Sequence, residues 1–125
     1  MKGKRIGLVD ANLQSPGLHY LFGIAETALE YSLNDYLHGR TGIQQATYNI
    51  TPQLKTELEG EIYLTPASIE AEDIMYAVRE GYNLESLAQG LHDLSDKLDL
   101  DVLIIDAQAG LDEHTLKIMA LSQSL

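Results

Sequence analysis

Short apolar runs alternate with helical patterns of apolar and polar positions along this chain. Residues 5–10 (RIGLVD) and 102–106 (VLIID) are apolar runs that each end in an acid, as expected of strands covered on both faces. Residues 61–64 predict a third strand, which Pro66 ends. After Asn83, leucines recur at helical spacing and predict a helix with one buried face. These leucines are Leu84, Leu87, Leu91, Leu94 and Leu98.

Three further helices are predicted between the strands. Residues 18–22 have the composition of a short helix. Ser32 is placed to cap a second helix, which Gly39 ends. Ser68 is placed to cap a third over residues 69–80, with acids in the first turn, where the helix dipole favours them.

The last pattern of the chain begins at Glu113 and predicts a helix that runs toward the end. Its inward face would carry Leu116, Met119 and Ala120. Residues 48–60 show no regular period and predict a loop. Strands that alternate with helices are typical of a parallel sheet. The sequence therefore predicts an α/β fold, with a small parallel sheet flanked by helices, as a single domain over residues 1–125.

Composition and charge exclude several classes of function. The chain has no cysteine, so a disulfide framework, a zinc–thiolate site and a thiol nucleophile are excluded. The net charge of −11 and the pI near 4.5 argue against direct binding of nucleic acid or of anionic lipid. No apolar run approaches the roughly 20 residues of a membrane-spanning helix, and the first residues do not resemble a secretory signal. We expect a cytoplasmic protein.

Two of the predicted strands end in acids, Asp10 and Asp106. The carboxyl ends of parallel strands meet at one edge of a sheet, where open α/β sheets bind ligands, so we expect both carboxylates at that edge. Carboxylate oxygens suit Mg²⁺, which prefers hard ligands and retained waters. Taken alone, each acid is equally consistent with a purely structural role, in which it follows a core strand and caps the next helix.

Three segments, in this order, resemble the MinD/ParA family of deviant Walker ATPases. They are LVDANLQSPGLHYLFG, IYLTPAS and VLIIDAQAGLDEHTL, and the resemblance covers about residues 3–125. It implies a partial P-loop NTPase fold. The switch I region would lie near residues 10–17, and the Walker B strand with switch II near residues 102–111.

The resemblance also implies roles for individual residues. Asp10 matches the first switch I acid, near magnesium and the attacking water, and Asn12 stands where many relatives have a second acid. These two are the catalytic candidates. Asp106 matches the Walker B acid, so Asp10 and Asp106 are the metal-ligand candidates. The candidates for cofactor binding are Ser15, Pro16, Gly17 and Gly110.

Two departures from the family pattern matter. Ala107 and Gln108 replace a common Thr-Pro pair, so a hydroxyl is lost. The sequence also contains no phosphate-binding loop, which needs a strand, a Gly-rich loop with Lys and Ser or Thr, and a helix. We therefore expect a chain that begins just after the family's first β–loop–α unit and also lacks its C-terminal strands.

The leading hypothesis is a MinD/ParA-like ATPase-family protein of cell division, partitioning or intracellular positioning. ATP and magnesium are the implied cofactors, and the chain alone is expected to bind them weakly or not at all. The implied partners are a second copy, an intact MinD/ParA-like protein, or the missing N-terminal piece. A second hypothesis is a non-catalytic binding module that pairs with an intact relative.

A third hypothesis, ranked below the other two, is a receiver-like phosphoacceptor domain. The strand and loop DVLIIDAQAG resemble the surroundings of a phosphorylated Asp. However, a receiver has an acidic pair after its first strand, and here Ala11 follows Asp10. A receiver also has a Lys after a late strand, and none is predicted.

Overall fold

The computed structural model describes residues 4–14, 16–24, 29–54, 60–108 and 114–120, with backbone alone at Leu21, Gln53, 107–108 and 114–120. Within these residues, one sheet carries helices on its faces. A 3₁₀ turn (Thr51–Gln53) precedes the third strand. The other elements in chain order are β1 (Arg5–Asp10), α1 (Leu18–Leu21), α2 (Leu33–Leu37), β2 (Tyr48–Asn49), β3 (Glu61–Thr65), α3 (Ala71–Glu80), α4 (Leu84–Leu98), β4 (Val102–Gln108) and β5 (His114–Ala120).

Strand β1 lies at the centre of the sheet, whose described strands have the order β2-β3-β1-β4-β5. It pairs in parallel with β3 on one side and with β4 on the other. The three predicted strands and their parallel arrangement are therefore confirmed. Strand β2 pairs antiparallel with β3, and β5 pairs antiparallel with β4, so the sheet is mixed.

The predicted helix from Glu113 is wrong, because residues 114–120 form the antiparallel strand β5. The apolar residues Leu116, Ile118 and Ala120 also recur with the period of two that is typical of a strand. Pairing with β4 satisfies backbone groups that an edge strand would leave unpaired. Pairing with β4 therefore outweighs the local helical pattern of residues 114–120.

The predicted loop over residues 48–60 contains strand β2. Two residues, Tyr48 and Asn49, are too few for an alternating pattern, so the sequence carried no strand signal there. Residues 55–59 lie outside the described part of the chain.

Both faces of the sheet are covered, as the apolar runs predicted. Successive side chains of a strand point to opposite faces. Val9 accordingly belongs to a core shared with helices α2, α3 and α4. Leu8 belongs to a second core with α1 and the segment before β3. The innermost residues of the two cores include Leu33, Leu94 and Leu103 on one face, and Ile50 and Leu64 on the other.

The helix boundaries follow their capping residues. Asn83 caps α4 by accepting a hydrogen bond from the Ser86 backbone N–H at 3.0 Å. The predicted leucine face is largely confirmed, but Leu84 in the first turn is 70% exposed. Helix α3 begins at Ala71, two residues later than predicted, because Glu70 and not Ser68 is its N-cap residue.

Gly90 allows α4 to approach α2 closely. A Cβ at this position would lie 2.5 Å from the ring of Tyr36, whose hydroxyl donates to the Ser86 carbonyl at 2.9 Å. We expect Gly90→Ala to lower the free energy of unfolding by about 1 kcal/mol, because overpacking of about 1–3 kcal/mol exceeds the ~1 kcal/mol gain in helix propensity. Urea unfolding measures this.

The matched control for Gly90→Ala is Gln89→Ala, one position away on the exposed side of the same helix. It should change the free energy of unfolding by less than about 0.5 kcal/mol. A Gly90→Ala variant more stable than the wild type would contradict the proposed close contact with Tyr36.

Candidate functional site

The two acids of the predicted site lie side by side where the strand order reverses. The chain passes from β1 to β3 on one side, and then to β4 on the other side of β1. Asp10 of β1 is the register partner of Asp106 of β4, and the Ala11 N–H donates to the Asp106 carbonyl at 2.8 Å. The prediction of a shared edge is confirmed. Open α/β sheets bind ligands at such a topological switch point.

Burial and backbone hydrogen bonds define the surroundings of the Asp10 carboxylate, which is fully buried. Its Oδ1 accepts from the Asn12 N–H at 3.2 Å. Its Oδ2 accepts from the N–H groups of Gly17 and Leu18, both at 3.1 Å. Gly17 is the N-cap residue of α1, so Asp10 satisfies helix N–H groups that have no partner within the helix. Asp10 thereby fixes both ends of the loop that the resemblance assigns to switch I.

The electrostatics of Asp10 reflect a balance between burial and hydrogen bonding. Burial raises the pKa of Asp10 above its ordinary value of 3.8, and the neighbouring Asp106 carboxylate raises it further. The three backbone N–H groups act in the opposite direction but do not cancel the effect of burial. A cation at this edge would offset the repulsion between the two carboxylates.

The two acids fit a magnesium ion that is held together with a phosphate ligand. Within the described residues, no group of three or more His, Cys, Asp or Glu side chains could hold a metal ion. Mg²⁺ typically takes one or two carboxylates and completes its shell with water and substrate phosphates. Oδ2 of Asp10 already accepts two hydrogen bonds and Oδ1 accepts one from Asn12, so a metal ion would use the second lone pair of Oδ1 and the half-buried Asp106 carboxylate.

The remaining predicted site residues are only partly brought to this edge. Gly17 is half-buried and donates its N–H to Asp10. Pro16, also half-buried, precedes it. Asn12 is buried and lines a cavity of about 80 Å³ with Gly81 and Tyr82 at the turn between α3 and α4. Ser15 and Gly110 lie outside the described residues.

A polar network at the carboxyl end of β3 was not predicted from the sequence. Arg40 bridges two acids, with Nε 3.1 Å from Asp35 and a terminal nitrogen 3.2 Å from Asp73. Ser68 donates to the other Asp73 oxygen at 2.6 Å. Burial opposes ionisation of Asp73, but these partners outweigh it and lower the pKa of Asp73. Arg40 and Asp73 lie 33 residues apart, so spacing could not have revealed the network.

This network lines a cavity of about 500 Å³ that also contains His19. His19 is fully buried. The polar residues Ser32, Asp35, Ser68 and Asp73 bond to one another or to Arg40. The network therefore joins α2 to α3.

The described helices are all too short or too polar to cross a membrane. No protein-family model and no curated protein matches the chain.

Two solved structures resemble the chain over most of its length. Both are of cobyrinic acid a,c-diamide synthase from Mycobacterium smegmatis, one with a bound ATP analog and magnesium and the other with ADP and magnesium. Each is 27% identical to this chain, covers 82% of it and superposes with a TM-score of 0.57. The chain spans 38% of the length of that enzyme. The similarity shows an α/β fold shared with a P-loop ATPase, and a distant relationship to such ATPases.

The raised pKa of Asp10 predicts a pH dependence of stability. The folded protein holds this proton more tightly than the unfolded chain does. Protonated Asp10 therefore stabilises the fold, and this contribution to the free energy of unfolding is lost as the pH rises from 3.8 through the raised pKa. Asp10→Asn removes this titration. We expect the wild-type free energy of unfolding, minus that of the variant, to fall as the pH rises above about 4 in urea titrations.

The control is Glu85→Gln, an exposed carboxylate in the first turn of α4, which should keep the wild-type pH profile. If the difference in free energy of unfolding between the wild type and Asp10→Asn instead rises with pH, the three N–H groups outweigh burial and lower the pKa of Asp10. That result would contradict the direction given above.

Proposed function

We propose that this chain provides the magnesium-facing side of a MinD/ParA-like nucleotide site. The observation that carries the proposal is the register pairing of Asp10 and Asp106 at the switch point of the sheet. The ATP analog, ADP and magnesium in the similar synthase support this choice of ligand. The biological role that we propose from the resemblance is in cell division, partitioning or intracellular positioning, in the cytoplasm.

In this proposal the two acids have different roles. Asp106 would hold magnesium through water, and the metal would supply charge neutralisation on the phosphates. Asp10 would orient the attacking water from its position at the end of β1. Its hydrogen bonds to Gly17 and Leu18 would couple that position to the path of the loop.

The phosphate-binding donors have to come from outside these residues. In P-loop proteins, the N–H groups of a Gly-rich loop and its Lys contact the phosphates, and no such loop occurs in this sequence. We propose that a β–loop–α unit supplies them, either covalently linked or from an intact relative or a second copy. The chain by itself is not proposed to be an active ATPase.

A second candidate function is a non-catalytic binding module that pairs with an intact family member. The hydrogen bonding of Asp10 favours it, since three backbone N–H groups already use this carboxylate. In that case Asp10 only holds the loop, and any regulation is exerted through the partner.

A fusion protein distinguishes the two candidates. A β–loop–α segment from a MinD/ParA protein, with its Lys and Ser or Thr, is placed before Lys2. If the site is competent, calorimetry should show magnesium-dependent ATP binding of micromolar affinity, about 8 kcal/mol. The chain without the segment should bind at least about a hundredfold more weakly, since it lacks the phosphate donors.

Substitutions in the fusion assign the roles. Asp106→Asn should abolish the magnesium dependence of ATP binding and leave the melting temperature nearly unchanged. The control Asp93→Asn, on α4, should keep both the magnesium dependence and the melting temperature of the fusion. A folded fusion that binds no nucleotide would contradict the nucleotide-site proposal and favour the binding module. Micromolar binding by the unfused chain would show that the phosphate site lies elsewhere.

A further inference from the structure

Residues 29–32 cross the protein surface just before α2, and their two ends are held in different ways. At the α2 end, the Leu33 N–H donates to the Pro66 carbonyl at 2.7 Å. Next to it, the Ser68 N–H donates to Oδ1 of Asn34 at 2.8 Å. All four of these residues are buried, so this end is fixed to the chain that follows β3.

The other end of this segment is held by the hydroxyl of Tyr48. That hydroxyl accepts a hydrogen bond from the Tyr31 N–H at 2.5 Å and donates one to the Tyr31 carbonyl at 2.8 Å, and both bonds are exposed. Tyr48 itself is fixed, because it belongs to β2 and pairs with Leu64 of β3. Burial, together with the Glu30 and Asp35 carboxylates, raises the pKa of Tyr48 above its ordinary value of 10. The hydroxyl therefore keeps its proton at neutral pH and can donate.

The segment forms part of the wall of the cavity of about 500 Å³ that contains His19. Residues 66–70, Arg40 and Asp73 also line this cavity. Its volume lies in the range of roughly 300–1,000 Å³ that is typical of ligand pockets. His19 lines the cavity, yet it is fully buried. The His19 side of the cavity is therefore closed to solvent in this structure.

We propose that residues 29–32 are a strap that closes this cavity over His19, with the Tyr48 hydroxyl as its latch. Opening would start at Tyr31, where the bonds are exposed, and would leave the buried bonds at the α2 end in place. Elements that open around ligands typically belong to the least stable parts of a fold. Asp10 and Asp106 take no part in these contacts, so the strap would act in the same way with or without a nucleotide.

The test removes the latch and measures the opening of the strap and of the cavity separately. Tyr48→Phe loses both hydrogen bonds to Tyr31, so hydrogen exchange of the Tyr31 amide, followed by NMR, should become at least about tenfold faster. Reaction of His19 with diethyl pyrocarbonate, followed by mass spectrometry, should become at least about fivefold faster. His92, whose side chain is 71% exposed, is the internal reference and should react at an unchanged rate.

The matched control is Tyr36→Phe, which also loses a hydroxyl bonded to the backbone. The Tyr36 hydroxyl donates to the Ser86 carbonyl at 2.9 Å, and Tyr36 does not line the cavity. In this variant, the exchange rate of the Tyr31 amide and the reaction rate of His19 should stay within about twofold of the wild type.

Three results would overturn the proposal. Wild-type exchange of the Tyr31 amide in Tyr48→Phe would show that the hydroxyl is not a latch. Faster exchange at Tyr31 without a faster reaction of His19 would show that the strap does not close the cavity. Equal acceleration at Tyr31 and at the Val9 amide of the central strand would show that Tyr48→Phe promotes global unfolding rather than opening of the strap.

Discussion

The buried carboxylate of Asp10 is the constraint on which the rest of this structure depends. A carboxylate removed from water is costly unless hydrogen bonds compensate it. Here the compensation comes from Asn12, Gly17 and Leu18, so the chain after β1 has to return to the end of that strand. The same requirement positions α1 on one face of the sheet. It also leaves an acid beside Asp106 at the switch point of the sheet.

Features fixed by continuous apolar runs could be predicted from the sequence. Strands β1, β3 and β4 and the buried face of α4 have strong local patterns, and the shared edge of Asp10 and Asp106 follows once the strands are parallel. Strand β5 could not be predicted, because its residues fit a helical period as well and the pairing with β4 decided between the two. The three backbone N–H groups that bind Asp10 could not be predicted from the sequence either, because the geometry of the loop determines them.

The two proposed functions assign different roles to the carboxylate of Asp10. As a cap, Asp10 uses Oδ2 fully and Oδ1 in part. As a group near magnesium, it has to share Oδ1 or give up some of its contacts with the loop. A bound nucleotide would thus be coupled to the order of the loop and of α1. A binding module would keep the cap unchanged, and its partner contacts would lie elsewhere.

Paramagnetic broadening by manganese(II), a stand-in for magnesium, shows whether a metal ion binds at the switch point of the sheet. Amide signals of the isotope-labelled chain are recorded with ADP and a small fraction of an equivalent of the metal, which reveals even weak binding. We expect broadening to centre on Asp10, Ala11 and Asp106 and to be lost from these residues in Asp106→Asn. Broadening spread evenly over the surface acids, or centred on α3, would contradict a metal site at the switch point of the sheet.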